Sequence, residues 1–200
     1  MTLDFPKVTV CVLSFNSGKH SELAIRSVLS CNYPNLELLC LDDGSTDGSP
    51  ETLSRLSREL SFEFHSSAKN FGLAAAFNKG LSLANGEFFV LLGDDLMLEN
   101  RILGDVQVMN SNYQIGVVTG KVKIIDGNGD ESEFSKDWSN DPGNGMFTER
   151  PESVLLNGSR IFAPAATYRT EVLRRLGGWQ EGSLYVDKPL FLKLAINHVP

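Results

Sequence analysis

Residues 88–95 read Phe88-Phe89-Val90-Leu91-Leu92-Gly93-Asp94-Asp95: five apolar residues, a glycine, then two adjacent carboxylates. Five consecutive apolar residues bounded by turn chemistry predict a strand buried on both faces, and such strands belong to parallel sheets covered by helices. The same grammar recurs upstream. Residues 8–13 form a short β-branched run that stops at Ser14-Phe15-Asn16-Ser17-Gly18, and residues 36–41 run into Asp42-Asp43-Gly44-Ser45-Thr46-Asp47-Gly48. A further short strand is predicted at 62–66.

Helical segments are predicted between these runs. Residues 19–29 carry Leu23, Val28 and Leu29 among polar positions, and Asn32-Tyr33-Pro34-Asn35 ends that segment. Ser49-Pro50-Glu51 opens a helix, with Ser49 as the expected cap and a core stripe of Leu53, Leu56 and Leu60. Residues 72–84 are alanine-rich and helical. Strands alternating with helices predict an α/β domain with a mostly parallel central sheet. Sheets of this kind bind ligands at the carboxyl ends of their strands. Ser14-Phe15-Asn16, Asp42-Asp43 and Asp94-Asp95 all fall there.

The second half is less regular. A helix is expected at 101–112, a strand at 115–125, a polar loop or hairpin insertion at 126–150 and an extended segment at 161–168. Helices follow at 171–176, ended by Gly177-Gly178, and at 188–196 with Asp187 at the start. The chain stops at Asn197-His198-Val199-Pro200 directly after a predicted helix, as a trimmed piece or a very compact domain would. With no internal repeat and no linker, residues 1–200 read as one domain.

Bulk composition narrows the function. A 200-residue chain with 42% hydrophobic content is the size of one globular domain with a sizeable core. Its formal net charge of −7 argues against nucleic acid held by general phosphate neutralisation. Cys11, Cys31 and Cys40 have no metal-ligand spacing and are expected to be reduced thiols, which favours a reducing compartment. The apolar run at 8–13 is too short to span a membrane and lacks signal-peptide flanks. The expectation is therefore a cytoplasmic chain, peripheral to the inner face of the membrane at most through residues outside this sequence.

Two adjacent carboxylates after an apolar strand repel each other, and a hard divalent cation shared with a phosphate relieves that repulsion. Asp94-Asp95 is thus a candidate site for Mg²⁺ or Mn²⁺; as an isolated pair it would more often serve as a turn. Asp42-Asp43 repeats the arrangement one strand pair earlier, where a carboxylate can accept from a pyrimidine imide N–H or a ribose hydroxyl. Asn70-Phe71-Gly72 is a loop and helix start whose free N–H groups could face an anion. Asp126, Asn128 and Asp130 have the alternate spacing of a calcium loop, but Glu131 stands where glycine is needed, so a polar hairpin tip is expected. His20, His65 and His198 have no metal spacing.

In order, these segments resemble the family 2 inverting glycosyltransferases, which have the GT-A fold. The matching motifs are Val10-Cys11-Val12-Leu13-Ser14-Phe15-Asn16, Leu41-Asp42-Asp43-Gly44-Ser45-Thr46-Asp47, the segment from Asn70-Phe71-Gly72 to Asn78-Lys79-Gly80, Ala84-Asn85-Gly86-Glu87-Phe88, and Leu91-Leu92-Gly93-Asp94-Asp95. The match is dense over residues 7–100; beyond that it rests on Arg169, Gly177-Gly178-Trp179 and Asp187.

The resemblance implies a donor half over about 7–100 and an acceptor half over 101–200. It implies that a nucleoside diphosphate sugar, UDP-linked, is held by Leu13, Ser14, Phe15, Asp42, Asp43, Lys69, Asn70, Asn78 and Asp94, with Asp95 the metal ligand. Within that set Leu13 and Phe15 lie against the base, Asp43 reads its edge, and residues 69–78 close over the nucleotide. Asp187 is then the base that deprotonates a saccharide or lipid-linked acceptor, in polysaccharide, glycolipid or glycoconjugate synthesis. The sequence departs from the family where the usual Phe-Asp-Glu is Trp179-Gln180-Glu181 and where Val186 replaces a glutamate, which makes Glu181 the second candidate base.

Three other classes are weighed against this reading. A non-catalytic nucleotide-binding module would keep the donor site without a working base. A phosphotransfer receiver domain needs an acidic pair after the first strand, and here that strand ends in Ser14-Phe15-Asn16. A dinucleotide dehydrogenase needs Gly-x-Gly-x-x-Gly there.

Overall fold

The computed structural model describes residues 5–126, 130–132, 146, 148–159 and 161–200. Seven helices and six strands follow one another among them: β1 Val8–Ser14, α1 Gly18–Ser30, β2 Leu36–Asp42, α2 Ser49–Leu60, β3 Glu63–Ser66, α3 Leu73–Leu83, β4 Phe88–Leu92, α4 Arg101–Ser111, β5 Val117–Thr119, α5 Pro151–Asn157, β6 Ala166–Arg169, α6 Thr170–Arg175 and α7 Asp187–Ile196. A 3₁₀ turn at Ala163–Ala165 leads into β6. Among these residues no helix is long and apolar enough to cross a membrane.

The strands form one sheet in the order β3-β2-β1-β4-β6-β5. β1 to β4 are mutually parallel, whereas β6 runs antiparallel to both β4 and β5. Because side chains alternate across a strand, Val8, Val10 and Val12 of β1 enter the core under α1, α2 and α4. Cys11 and Leu13 enter the opposite core, under α3, α6 and α7. Complete burial of β1 explains why its sequence is apolar apart from Thr9 and the terminal Ser14.

The order of the strands locates the ligand crevice. From β1 the chain winds outward to β2 and β3, then returns to β4 on the other side of β1. A parallel sheet opens such a crevice at the carboxyl ends of the strands where the winding reverses. Register brings those ends to one edge, with Ser14 opposite Asp42 and Val12 opposite Leu92. Phe15 and Gly93-Asp94-Asp95 therefore leave the sheet side by side.

Several local expectations change. In α1 the buried stripe is Ser21, Ala24, Ile25 and Val28, and Leu23 is exposed. Gly48, with φ of 80°, occupies the cap position of α2; Ser49 instead uses its hydroxyl to accept from Gly18 N–H at 2.9 Å, joining the starts of two helices. The strand expected at 115–125 shrinks to β5, because its partner β6 ends against the 3₁₀ turn. Beyond it Ile125 bridges Glu131, and Asp126 N–H donates to Asp130 O at 2.9 Å; residues 127–129, where the hairpin tip is expected, lie outside the described set. Helix α5 was not predicted by periodicity; its signal is Pro151-Glu152 in the first turn and Gly158 after the last.

Candidate active site

Two loops at the strand ends are tied to each other. Asn16, with φ of 51°, donates its N–H to Ser45 Oγ at 2.8 Å and accepts Thr46 N–H on Oδ1 at 2.9 Å. Asp43 N–H donates to Ser14 O at 2.9 Å. The two aspartates that end β2 then diverge. Asp42 is 1% exposed, and its carboxylate accepts from Ser45 N–H at 3.1 Å, from the Ser45 hydroxyl and from Ser66 Oγ at 3.0 Å. Asp43 accepts Phe71 N–H at 3.0 Å and Gly72 N–H at 2.9 Å, pinning the loop before α3. Gly44, with φ of +77°, lets the loops meet, since a Cβ there would lie 2.2 Å from the Lys69 carbonyl carbon.

A cavity of about 510 Å³ opens above β1 and β4, within the usual size range of small-molecule sites. Of the residues expected to form the donor site, Leu13, Ser14, Phe15, Asp43, Asn70, Asp94 and Asp95 line it, and so does Asp187. Asp42, Lys69, Asn78 and Glu181 are not among the lining residues. The Lys69 ammonium stands 5.0 Å from the Phe71 ring centroid. Asn78 clamps the Trp179 backbone, and Glu181 accepts from Asn78 Nδ2 at 3.3 Å on the surface.

Electrostatics divide the lining carboxylates. Desolvation at the cavity wall raises the Asp95 pKa above the ordinary aspartate value of 3.8, and the neighbouring Asp94 charge adds to the rise. Among the described residues no group of three or more His, Cys, Asp or Glu converges. A cation at Asp94-Asp95 would thus have one or two carboxylates and complete its shell with phosphate and water, as Mg²⁺ does. Hard oxygen donors and mutual repulsion both fit such an ion. Ser14 adds another mark of a ligand site, because its buried hydroxyl has no hydrogen-bond partner among the described residues.

Across the cavity, burial raises the Asp187 pKa, opposed by a hydrogen bond that its Oδ1 accepts from Trp179 Nε1 at 3.3 Å. Val186, not Asp187, holds the cap position of α7, so the carboxylate does not have the capping role that its place in sequence suggested. Tyr168, Trp179, Ala163 and Pro164 complete this wall. Only Trp179 had a sequence signal, as a departure from the family's usual phenylalanine. Tyr168 and Pro164 sit in an irregular segment whose pattern does not reveal which side faces the cavity.

A mostly parallel sheet with carboxylates gathered where its winding reverses defines an α/β domain with a ligand site at its strand ends, and likeness to solved glycosyltransferases makes that domain one of the GT-A type. The chain belongs to glycosyl transferase family 2, whose model, described as "Glycosyl transferase family 2", matches residues 9–177. It is 28% identical over 175 residues to an uncharacterized glycosyltransferase of Nostoc, covering 85% of this chain and 53% of that protein. It is 35% identical over 97 residues to the cholesterol galactosyltransferase of Borreliella burgdorferi, covering 48% of this chain and 27% of that one.

Among solved structures it is similar to the mannosyltransferase PcManGT from Pyrobaculum calidifontis in complex with GDP-Man and Mn²⁺. That match has a TM-score of 0.69 and 21% identity, over 93% of this chain and 51% of the other. S. aureus TarS in complex with UDP-GlcNAc gives a TM-score of 0.67 and 26% identity, over 96% of this chain and 54% of the other. The chain thus spans about half the length, or less, of these relatives.

Proposed function

We propose that the chain is the donor-binding and catalytic domain of an inverting glycosyltransferase that moves a sugar from a nucleoside diphosphate sugar, UDP-linked, to a hydroxyl of a saccharide or lipid-linked acceptor. The observation that carries this reading is that Asp94-Asp95 and Asp187 face one cavity whose floor is the end of β1. Family membership and the likeness to TarS, solved with UDP-GlcNAc, support the donor class.

Asp95 would hold Mg²⁺ or Mn²⁺, with Asp94 on the ribose side; such an ion neutralises the charge that develops on a departing diphosphate. The protein's own groups do the rest. Asp43 and its loop set the base end of the cavity, Phe15 offers it an aromatic face, and Ser14 offers an unpaired hydroxyl. Asp187 takes the proton of the acceptor hydroxyl as that oxygen attacks the anomeric carbon, and inversion follows from a single in-line displacement. A carboxylate with a raised pKa is a better base than an ordinary one.

The test is donor consumption by the unaltered protein and by Asp187→Asn, with UDP affinity measured on both. The proposal expects turnover to fall by about 10²–10⁴ with UDP binding intact. Turnover retained by Asp187→Asn would refute the base assignment. An unaltered protein that binds UDP but consumes no sugar donor would make the chain a binding module instead.

A further inference from the structure

Trp179 is 2% exposed, and its ring packs against Phe77, Tyr168 and Phe89 at centroid distances of 5.2, 6.1 and 6.4 Å. A buried indole N–H needs an acceptor, and among the described residues it has the Asp187 carboxylate. Its backbone is held from two sides. Asn78 of α3 accepts Trp179 N–H on Oδ1 and donates Nδ2 to Trp179 O, each at 2.9 Å, and Lys193 of α7 donates to Gly178 O at 3.1 Å. Gly178, with φ of +62°, permits the clamp, since a Cβ there would sit 2.4 Å from Asn78 Oδ1.

We propose that Trp179 is the positioning residue for Asp187, aiming its carboxylate through the indole N–H, and that Asn78 fixes Trp179 from the helix behind the donor loop. Phenylalanine at this place would supply the packing but no donor. The residues that close over the donor and the group that activates the acceptor are thereby connected through two side chains. The kinetic part of this inference rests on Asp187 being the base.

Other ionisable groups around Asp187 are Tyr168 on β6, whose own pKa is raised by burial and by the Asp187 charge, and Asp43, Asp94 and Asp95 on the same cavity. Lys188, the next residue of α7, turns its ammonium to Leu155 O at 3.2 Å. The hydrogen bond from Trp179 is what holds the Asp187 pKa down against burial, so its removal moves that pKa upward.

The experiment has two arms. In the first, the Trp179 indole ¹H–¹⁵N resonance, separated from that of Trp138 by Trp138→Phe, is followed against pH. It is expected to titrate in the unaltered protein and to lose that titration in Asp187→Asn. In the second, Trp179→Phe is expected to lower kcat about tenfold, to leave the donor KM within about twofold, and to move the acid limb of kcat to higher pH. An indole resonance indifferent to Asp187, or a Trp179→Phe limb that coincides with the unaltered one, overturns the inference. Full kcat in Asp187→Asn, with an indole that titrates in the unaltered protein and no longer does so in Asp187→Asn, would overturn the base assignment alone, so the two failures are distinct. The first arm leaves Trp179 in place and does not depend on the folding of Trp179→Phe.

Discussion

Asp43→Asn separates the structural work of Asp43 from its contact with a ligand. Asp43 is 7% exposed, and its carboxylate accepts two backbone N–H groups, from Phe71 at 3.0 Å and Gly72 at 2.9 Å. An asparagine offers one oxygen and one NH₂, so one of the two amides loses its acceptor and meets a donor. Hydrogen bonds to a charged group contribute about 1.5–3 kcal/mol, and an orphaned donor costs about 1–3 kcal/mol. These overlap, and the expected loss is about 2–4 kcal/mol. The loss falls on the loop before α3, where Gly72 is the cap residue with φ of 89°. Native-state hydrogen exchange of the Phe71 and Gly72 amides should accelerate by about 30- to 1,000-fold, the equivalent of that energy. Urea unfolding gives the global value, bounded above by the same figure if the loop opens locally first. Unchanged protection of both amides together with an unchanged urea midpoint would mean that the Asp43 carboxylate does not hold this loop.

Further outcomes follow from neighbouring features. Gly44→Ala forces a Cβ against the Lys69 backbone at φ of +77° and should cost about 3 kcal/mol in urea unfolding; a loss under about 0.5 kcal/mol would mean that the two loops do not touch. Burial pushes the Cys11 and Cys40 thiols up, the latter to about 12, so a native thiol titration at pH 8 should find Cys31 reacting long before them, and rapid reaction of three thiols would contradict the core assignment. The raised pKa of Asp187 means that the native state holds its proton to higher pH than the unfolded chain does. Stability from this group is full below 3.8 and lost as pH rises through the folded pKa, while kcat rises over the same interval. Asp187→Asn should therefore unfold at a higher temperature than the unaltered protein at neutral pH, with the gap closing in acid; an unaltered protein that is the more stable at neutral pH would oppose this.

How far the sequence could be read depended on burial. The apolar runs of β1, β2 and β4, interrupted inside only by Thr9 and Glu37, exist because both faces of those strands are largely covered, and that made the first half legible residue by residue. The carboxylate pairs were visible because they interrupt those runs. What each carboxylate does was not visible: Asp42 and Asp43 are adjacent and identical, yet one closes its own loop and the other holds a loop 28 residues away. Long-range partners of that kind leave no local pattern. The same holds for Asn78, whose partner Trp179 is 101 residues distant, and for the Asp105–Thr167 hydrogen bond at 2.6 Å between α4 and β6. The antiparallel β6 was predicted only as an extended segment, because a four-residue strand preceded by a 3₁₀ turn carries too little periodicity to give its direction.

The most direct test of the central claim is calorimetric titration of UDP, with and without Mn²⁺, into the unaltered protein and Asp95→Ala. The account predicts that Mn²⁺ tightens UDP binding by tenfold or more, about 1.4 kcal/mol, in the unaltered protein and not in Asp95→Ala. Equal UDP binding by both proteins, indifferent to the metal, would contradict it.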